Sequence, residues 1–311
     1  MTTDRTQYFE INIPVPFGII AGKWYGPKDV RPILFIHGFN DNCGTFDRLI
    51  QLLPSRGSYL AIDLPGCGLS SRSPNGMMYH VTDLALIILR IMKTYQWPKV
   101  SLVGHSMGAM ACYCFLGFFP AKVDLFIALD SLQLFHFEQI LDQQAYFFTR
   151  SMQADEDNVN NVSASEYSYE QLVEKVHNLP SCTIPKELCH CILRRNISKS
   201  KTLPESYRFH YDSRTKYPYI MGWSREASAM TAKRIKCPVL IIRANDSLFY
   251  GDEEEFLSLV ETLKQNNTHT KLVHTPGGHY LHLIEAERIA AEIEVFLDEI
   301  DYCKNVVQSK I

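Results

Sequence analysis

A serine between two glycines is the first place where this chain could do chemistry. It lies in Gly104-His105-Ser106-Met107-Gly108, where the β-branched run VSLV passes into small apolar residues over residues 100–115. Where a strand must turn sharply into a helix, flanking glycines keep Cβ atoms out of a tight backbone contact. Such an elbow lifts the serine hydroxyl clear of a sheet and turns the Met107 N–H towards a reacting carbonyl. A serine hydroxyl is a weak nucleophile at neutral pH, so a general base must stand within hydrogen-bond reach.

His279, in TPGGHY, is the candidate base. It sits on a glycine-rich loop that can carry an imidazole over strand ends, and a neutral imidazole can take the Ser106 proton and return it to a leaving group. Asp246, at the end of PVLIIRAND, is assigned as the carboxylate that fixes the His279 tautomer and stabilises the imidazolium. Asp130, ending LFIALD, competes for that role from the neighbouring strand, and otherwise braces the start of the next segment. Upstream, His37-Gly38-Phe39 follows an apolar strand and can bring the Phe39 N–H beside that of Met107 as a second oxyanion donor. His37 and His105 are read as structural, one bonding the loop and the other packed beside the elbow.

These residues need a scaffold that brings distant strand ends together. YFEINIPV and GIIAGKWYG read as a starting hairpin. RPILFIHGF, SYLAIDLPG, KVSLVGHS and KVDLFIALD read as strands buried on both faces, separated by helical patterns such as FDRLIQLLP, with Thr45 as its N-cap, and VTDLALIILRIMKTY. This alternation predicts an open, mostly parallel sheet with helices on both faces. The rhythm fails over 131–236, where aromatic stretches surround the acidic-polar tract ADEDNVNNVSASEYS, expected as a loop, and then resumes with CPVLIIRANDS, GDEEEFLSLVETLKQ and the long amphipathic IEAERIAAEIEVFLDEI. Residues 1–130 and 237–311 are therefore expected to form a core, and 131–236 a mostly helical inserted lid. Its Phe135, Phe137, Phe147, Phe148, Tyr217, Tyr219 and Trp223 suit the wall of an apolar pocket.

Composition narrows the function classes. In 311 residues with a net charge of -3, no basic footprint for nucleic acid stands out. LALIILRIM is interrupted by Arg90 and too short to span a bilayer. The nine cysteines lack framework spacing and fit reduced thiols. No motif for a metal, nucleotide or flavin occurs, so no cofactor is expected. The N-terminus has no apolar signal region, which predicts a cytoplasmic protein, while Ser309-Lys310-Ile311 resembles the S-K-L peroxisomal address.

HGF, DLPGCGLS, GHSMGA, PVLIIRAND and PGGH, in this order, resemble the α/β-hydrolase superfamily over nearly the whole chain outside the insert. Within it, GHSMGA and CPVLIIRA after a tyrosine-rich segment are similar to the kraken and serine hydrolase-like branch. The resemblance implies an eight-stranded sheet with one antiparallel strand and a triad of Ser106, Asp246 and His279. A departure is Ala244, where the acid loop of the family often has glycine. The activity implied is hydrolysis of a small or medium apolar ester or thioester, as in serine esterases and lipases. A ligand receptor on the same fold, an acyltransferase or a carbon–carbon bond hydrolase are the alternatives.

Overall fold

Strands of this chain carry apolar residues on both faces because helices cover both faces. The computed structural model describes residues 7–160, 165–179, 182–220, 222–247 and 252–302; Ser309, Lys310 and Ile311 lie outside them. Eight strands form the main sheet: β1 (Phe9–Val15), β2 (Gly18–Tyr25), β3 (Ile33–Ile36), β4 (Tyr59–Ile62), β5 (Val100–His105), β6 (Val123–Leu129), β7 (Val239–Ala244) and β8 (Lys271–Thr275). Their order is β1-β2-β4-β3-β5-β6-β7-β8. β2 runs antiparallel to both neighbours, and every other pairing is parallel.

Strand alternation divides the core into two layers. Leu34 and Ile36 of β3 join one cluster with Ile88 and Ile91 of α2 (Leu84–Thr94) and Phe115 of α3 (Met107–Phe118). Ile33 and Phe35 point the other way, into a cluster with Leu49 of α1 (Asp47–Leu52) and Ile293 and Phe296 of α8 (Ala286–Glu299). A residue buried on either face must be apolar, which is why these strands read as continuous runs. The start of α1 differs from the expectation. Asn42 caps a short 3-10 turn, Cys43–Phe46, by accepting from Gly44 N, while Thr45 is buried against His282. Cys43, Cys67, Cys112, Cys114, Cys189, Cys191 and Cys237 are free thiols. No described helix is long and apolar enough to cross a membrane.

Between β6 and β7 the described chain adds no strand to the main sheet. It holds α4 (Phe137–Val159), α5 (Tyr169–His177), α6 (Cys189–Asn196), α7 (Arg225–Arg234) and two short antiparallel ribbons. The acidic tract begins as helix, not loop. α4 continues through Asp155 and Asn158 because these polar residues meet buried partners: Asp155 pairs with Arg214 at 3.0 Å, and Asn158 donates to Asp212 at 3.1 Å. Arg214 is fully buried and also donates to the carbonyls of Ser73, Pro74 and Met77. One guanidinium thus joins the insert to the loop after β4.

Candidate active site

Ser106 follows directly on β5 with φ 51 and ψ -121, and α3 begins at the next residue. The glycines on either side are required by contact. A Cβ on Gly104 would come within 2.6 Å of the Ala109 backbone, and one on Gly108 within 2.2 Å of the Ile36 carbonyl oxygen. Strand, turn and helix can close this tightly only without those side chains. Ala109 N and Met110 N donate to the Ser106 carbonyl and lock the turn. Met107, the first residue of α3, contributes one of the N–H groups that a helix start leaves without an internal acceptor.

The hydroxyl of Ser106 lies 2.9 Å from Nε2 of His279, which the loop after β8 carries over the strand ends. Nδ1 of the same ring lies 2.6 Å from Oδ2 of Asp130. The carboxylate that meets His279 is therefore Asp130 and not Asp246. Sheet order explains the difference. β6 lies between β5 and β7, so a carboxylate at its end stands beside the strand that carries Ser106 and beneath the imidazole. Asp246, two residues past β7, is exposed and turns to the histidine loop's backbone, accepting from Gly277 N at 3.3 Å.

Asp130 is held from several sides. Its side chain is 2 % exposed, its Oδ1 accepts from Ala244 N at 2.8 Å, and the Ser247 hydroxyl donates to Oδ2. It also adopts a positive φ of 53, rare for a residue with a side chain and found where surroundings hold strain in place. Ser247 Oγ stands 3.5 Å from Nδ1 of His279 as well. Sequence reasoning missed Ser247, whose only signal is its place directly after Asp246.

The other histidines have separate duties. His37 bonds backbone through both nitrogens, to Gly38 O at 2.8 Å and Leu64 N at 2.9 Å, and burial lowers its pKa to about 4. His105 donates Nε2–H to the His279 carbonyl at 2.9 Å. Its complete burial, with His282 and His279 nearby, holds it well below the usual imidazole range.

Above Ser106 opens a cavity of about 790 Å³ that Phe39, Met107, Asp130 and His279 also line. Of the aromatic residues singled out in the insert, Phe135, Phe147 and Tyr217 face it. Trp223 instead packs near Tyr113 and Phe118, and Phe148 pairs with Tyr219 at 5.5 Å. Gln133, Gln143 and Lys216 add polar groups to the wall, so the cavity is mixed rather than uniformly apolar.

Residues 31–286 match the family model described as alpha/beta hydrolase fold. The chain is similar to a probable serine hydrolase of Drosophila melanogaster, 31% identical over 93% of this chain and 88% of the fly protein. It is also similar to the human serine hydrolase-like protein 2, 31% identical over 93% of each chain. Among solved structures, a hypothetical protein of Pseudomonas aeruginosa superposes with a TM-score of 0.78 at 25% identity, covering 94% of this chain and 99% of the other.

Proposed function

The chain belongs to the α/β-hydrolase fold family, and on that premise we propose that it is a serine hydrolase cleaving a small or medium ester or thioester. The observation that carries the reading is the continuous hydrogen-bond path from Ser106 Oγ through both nitrogens of His279 to Asp130. In this reading Ser106 Oγ attacks the acyl carbon as its proton passes to Nε2 of His279. Asp130 accepts Nδ1–H and stabilises the imidazolium. Phe39 N–H and Met107 N–H hold the oxyanion. The imidazolium then protonates the departing alcohol or thiol, and a water deprotonated by His279 releases the acid and restores Ser106.

The insert serves as the lid, and Phe135, Phe147 and Tyr217 form an apolar wall for the acyl or alcohol group. A fluorophosphonate probe should label the native protein and fail on Ser106→Ala, and a chain-length series of p-nitrophenyl esters should show a preferred acyl length. Absence of labelling in the native protein would sink the reading.

Ser309-Lys310-Ile311 is proposed as a peroxisomal address, on its resemblance to S-K-L. Deleting these residues from a tagged protein should redistribute it to the cytoplasm. A diffuse distribution unchanged by the deletion would dismiss import.

A further inference from the structure

The turn that follows β7 touches both the acid and the base of the site. Four consecutive residues divide the work. Ala244 N donates to Asp130 Oδ1 at 2.8 Å, and the Ser247 hydroxyl donates to Oδ2 of the same carboxylate. Between them, Asn245 N donates to Thr275 O at 2.8 Å and Asp246 N to Gly277 O at 3.0 Å, both on the chain leading to His279. Gly277 N donates back to Asp246 Oδ2 at 3.3 Å. The turn is thereby fixed to the end of β8 and to the histidine loop, which sets the place of Ser247 beside the imidazole. Its Oγ lies 3.5 Å from His279 Nδ1.

Hydrogen-bond directions in this cluster are determined by the partners. A carboxylate only accepts, so the Ser247 proton points at Oδ2. Nδ1 of His279 faces the same oxygen at 2.6 Å and donates to it, which leaves Nε2 as the acceptor that faces the Ser106 hydroxyl at 2.9 Å. Asp130 is 2% exposed, and among the described residues no lysine or arginine pairs with it. One amide, one hydroxyl and the imidazole therefore meet its buried charge. With Oδ1 held by Ala244 N and Oδ2 by Ser247, rotation of the carboxylate about its Cβ–Cγ bond is blocked, and Oδ2 stays in line with Nδ1. Without the hydroxyl, Oδ2 would be held only by the imidazole that it has to aim.

We propose, on the reading that Ser106, His279 and Asp130 form a triad, that Ser247 is a positioning residue whose hydroxyl fixes the Asp130 carboxylate and so aligns His279 towards Ser106. Ser247 does not line the cavity, so its loss should spare substrate binding and slow the chemical step.

Three full-length variants test this role. Ser247→Ala removes the hydroxyl, Ser247→Cys replaces it by a weaker donor of similar shape, and Ser247→Thr keeps it. With active sites counted by fluorophosphonate labelling, Ser247→Ala and Ser247→Cys should lower kcat for a p-nitrophenyl ester about 10- to 100-fold, the range set by one hydrogen bond to a charged group. KM should stay within about twofold, and Ser247→Thr should keep kcat within about threefold of wild type. A second readout needs no turnover. In ¹⁵N-histidine-labelled protein the His279 Nδ1–H proton, identified by its loss in His279→Gln, should give a downfield resonance. That resonance should broaden by exchange with water in Ser247→Ala and persist in Ser247→Thr. An unchanged kcat or an unchanged resonance in Ser247→Ala overturns the proposal, as does an equal loss in Ser247→Thr and Ser247→Cys, which would mark packing alone. If Ser247→Ala does not fold, the other two decide: activity kept only in Ser247→Thr supports the role, and equal activity overturns it. A resonance that depends on Ser247 in a protein without turnover or labelling removes the hydrolase reading and leaves this one standing. Turnover indifferent to Ser247 does the reverse.

Discussion

Ser106 and Asp130 stand at the ends of adjacent strands with almost the same positive φ, 51 and 53. Each is pinned by the next strand across: Ser106 N donates to Leu129 O at 3.0 Å, and Asp130 N to Ile242 O at 2.8 Å. Neighbouring strands thus hold both residues in a conformation that side chains resist. The strain points both side chains to the space that His279 enters.

Relief of that strain at Ser106 should be measurable. Ser106→Gly adopts φ 51 at little cost, so it should unfold at a higher temperature than wild type while losing all labelling. A gain of about 1 kcal/mol is expected, the lower end of what such backbone strain costs. Ser106→Ala keeps a Cβ and should unfold near the wild-type temperature.

The carboxylate next to His279 should govern turnover. Asp130→Asn is expected to lower kcat by about 10⁴-fold, the scale seen when a triad histidine is left in the wrong tautomer. Asp246→Asn, which touches Gly277 backbone from an exposed position, should leave kcat within a few-fold. Ester hydrolysis by both variants, with folding checked by circular dichroism, decides between them. Loss of activity in Asp246→Asn alone would overturn the assignment.

Gly108→Ala should be poorly tolerated for a reason unrelated to chemistry. Its Cβ would sit 2.2 Å from Ile36 O and 2.6 Å from His37 O, both backbone atoms at the end of β3. The elbow or the Phe39 loop must then shift, at a cost of about 1–3 kcal/mol or more. Urea unfolding reads the cost.

Acid should destabilise the fold well before the carboxylates of an ordinary surface are titrated. His37 and His282 have folded-state values of about 4 and about 3, and His105 is also lowered from 6.5. The unfolded chain binds protons at these rings below about pH 6.5, where the folded chain does not. Their contribution is therefore fully present above about pH 6.5 and lost as pH falls towards 4. Asp41, raised to about 7, works in the opposite direction but is one group against three. Urea unfolding between pH 7 and 5 should show stability falling by about 2–3 kcal/mol per pH unit at its steepest.

The sheet was legible because its strands are buried on both faces, so that Ile33–Ile36 and Val239–Ala244 read as unbroken apolar runs. Ser106 and His279 were legible because glycines mark the turns that carry them. The acid was not. Asp130 and Asp246 both follow apolar strands, and only sheet order and exposure distinguish them. The length of α4 was hidden for a related reason. Its polar residues resemble a solvated loop until Arg214, far along the chain, is seen to sit against them.

Asp130 is also the residue at which the chain leaves the sheet and enters the insert, and Leu132, Leu134 and Phe135, the next residues along, line the cavity. Part of the pocket wall and the carboxylate beside His279 are therefore neighbours on one short stretch of backbone. A substitution that moves this stretch should therefore alter the shape of the wall and the seat of the imidazole together.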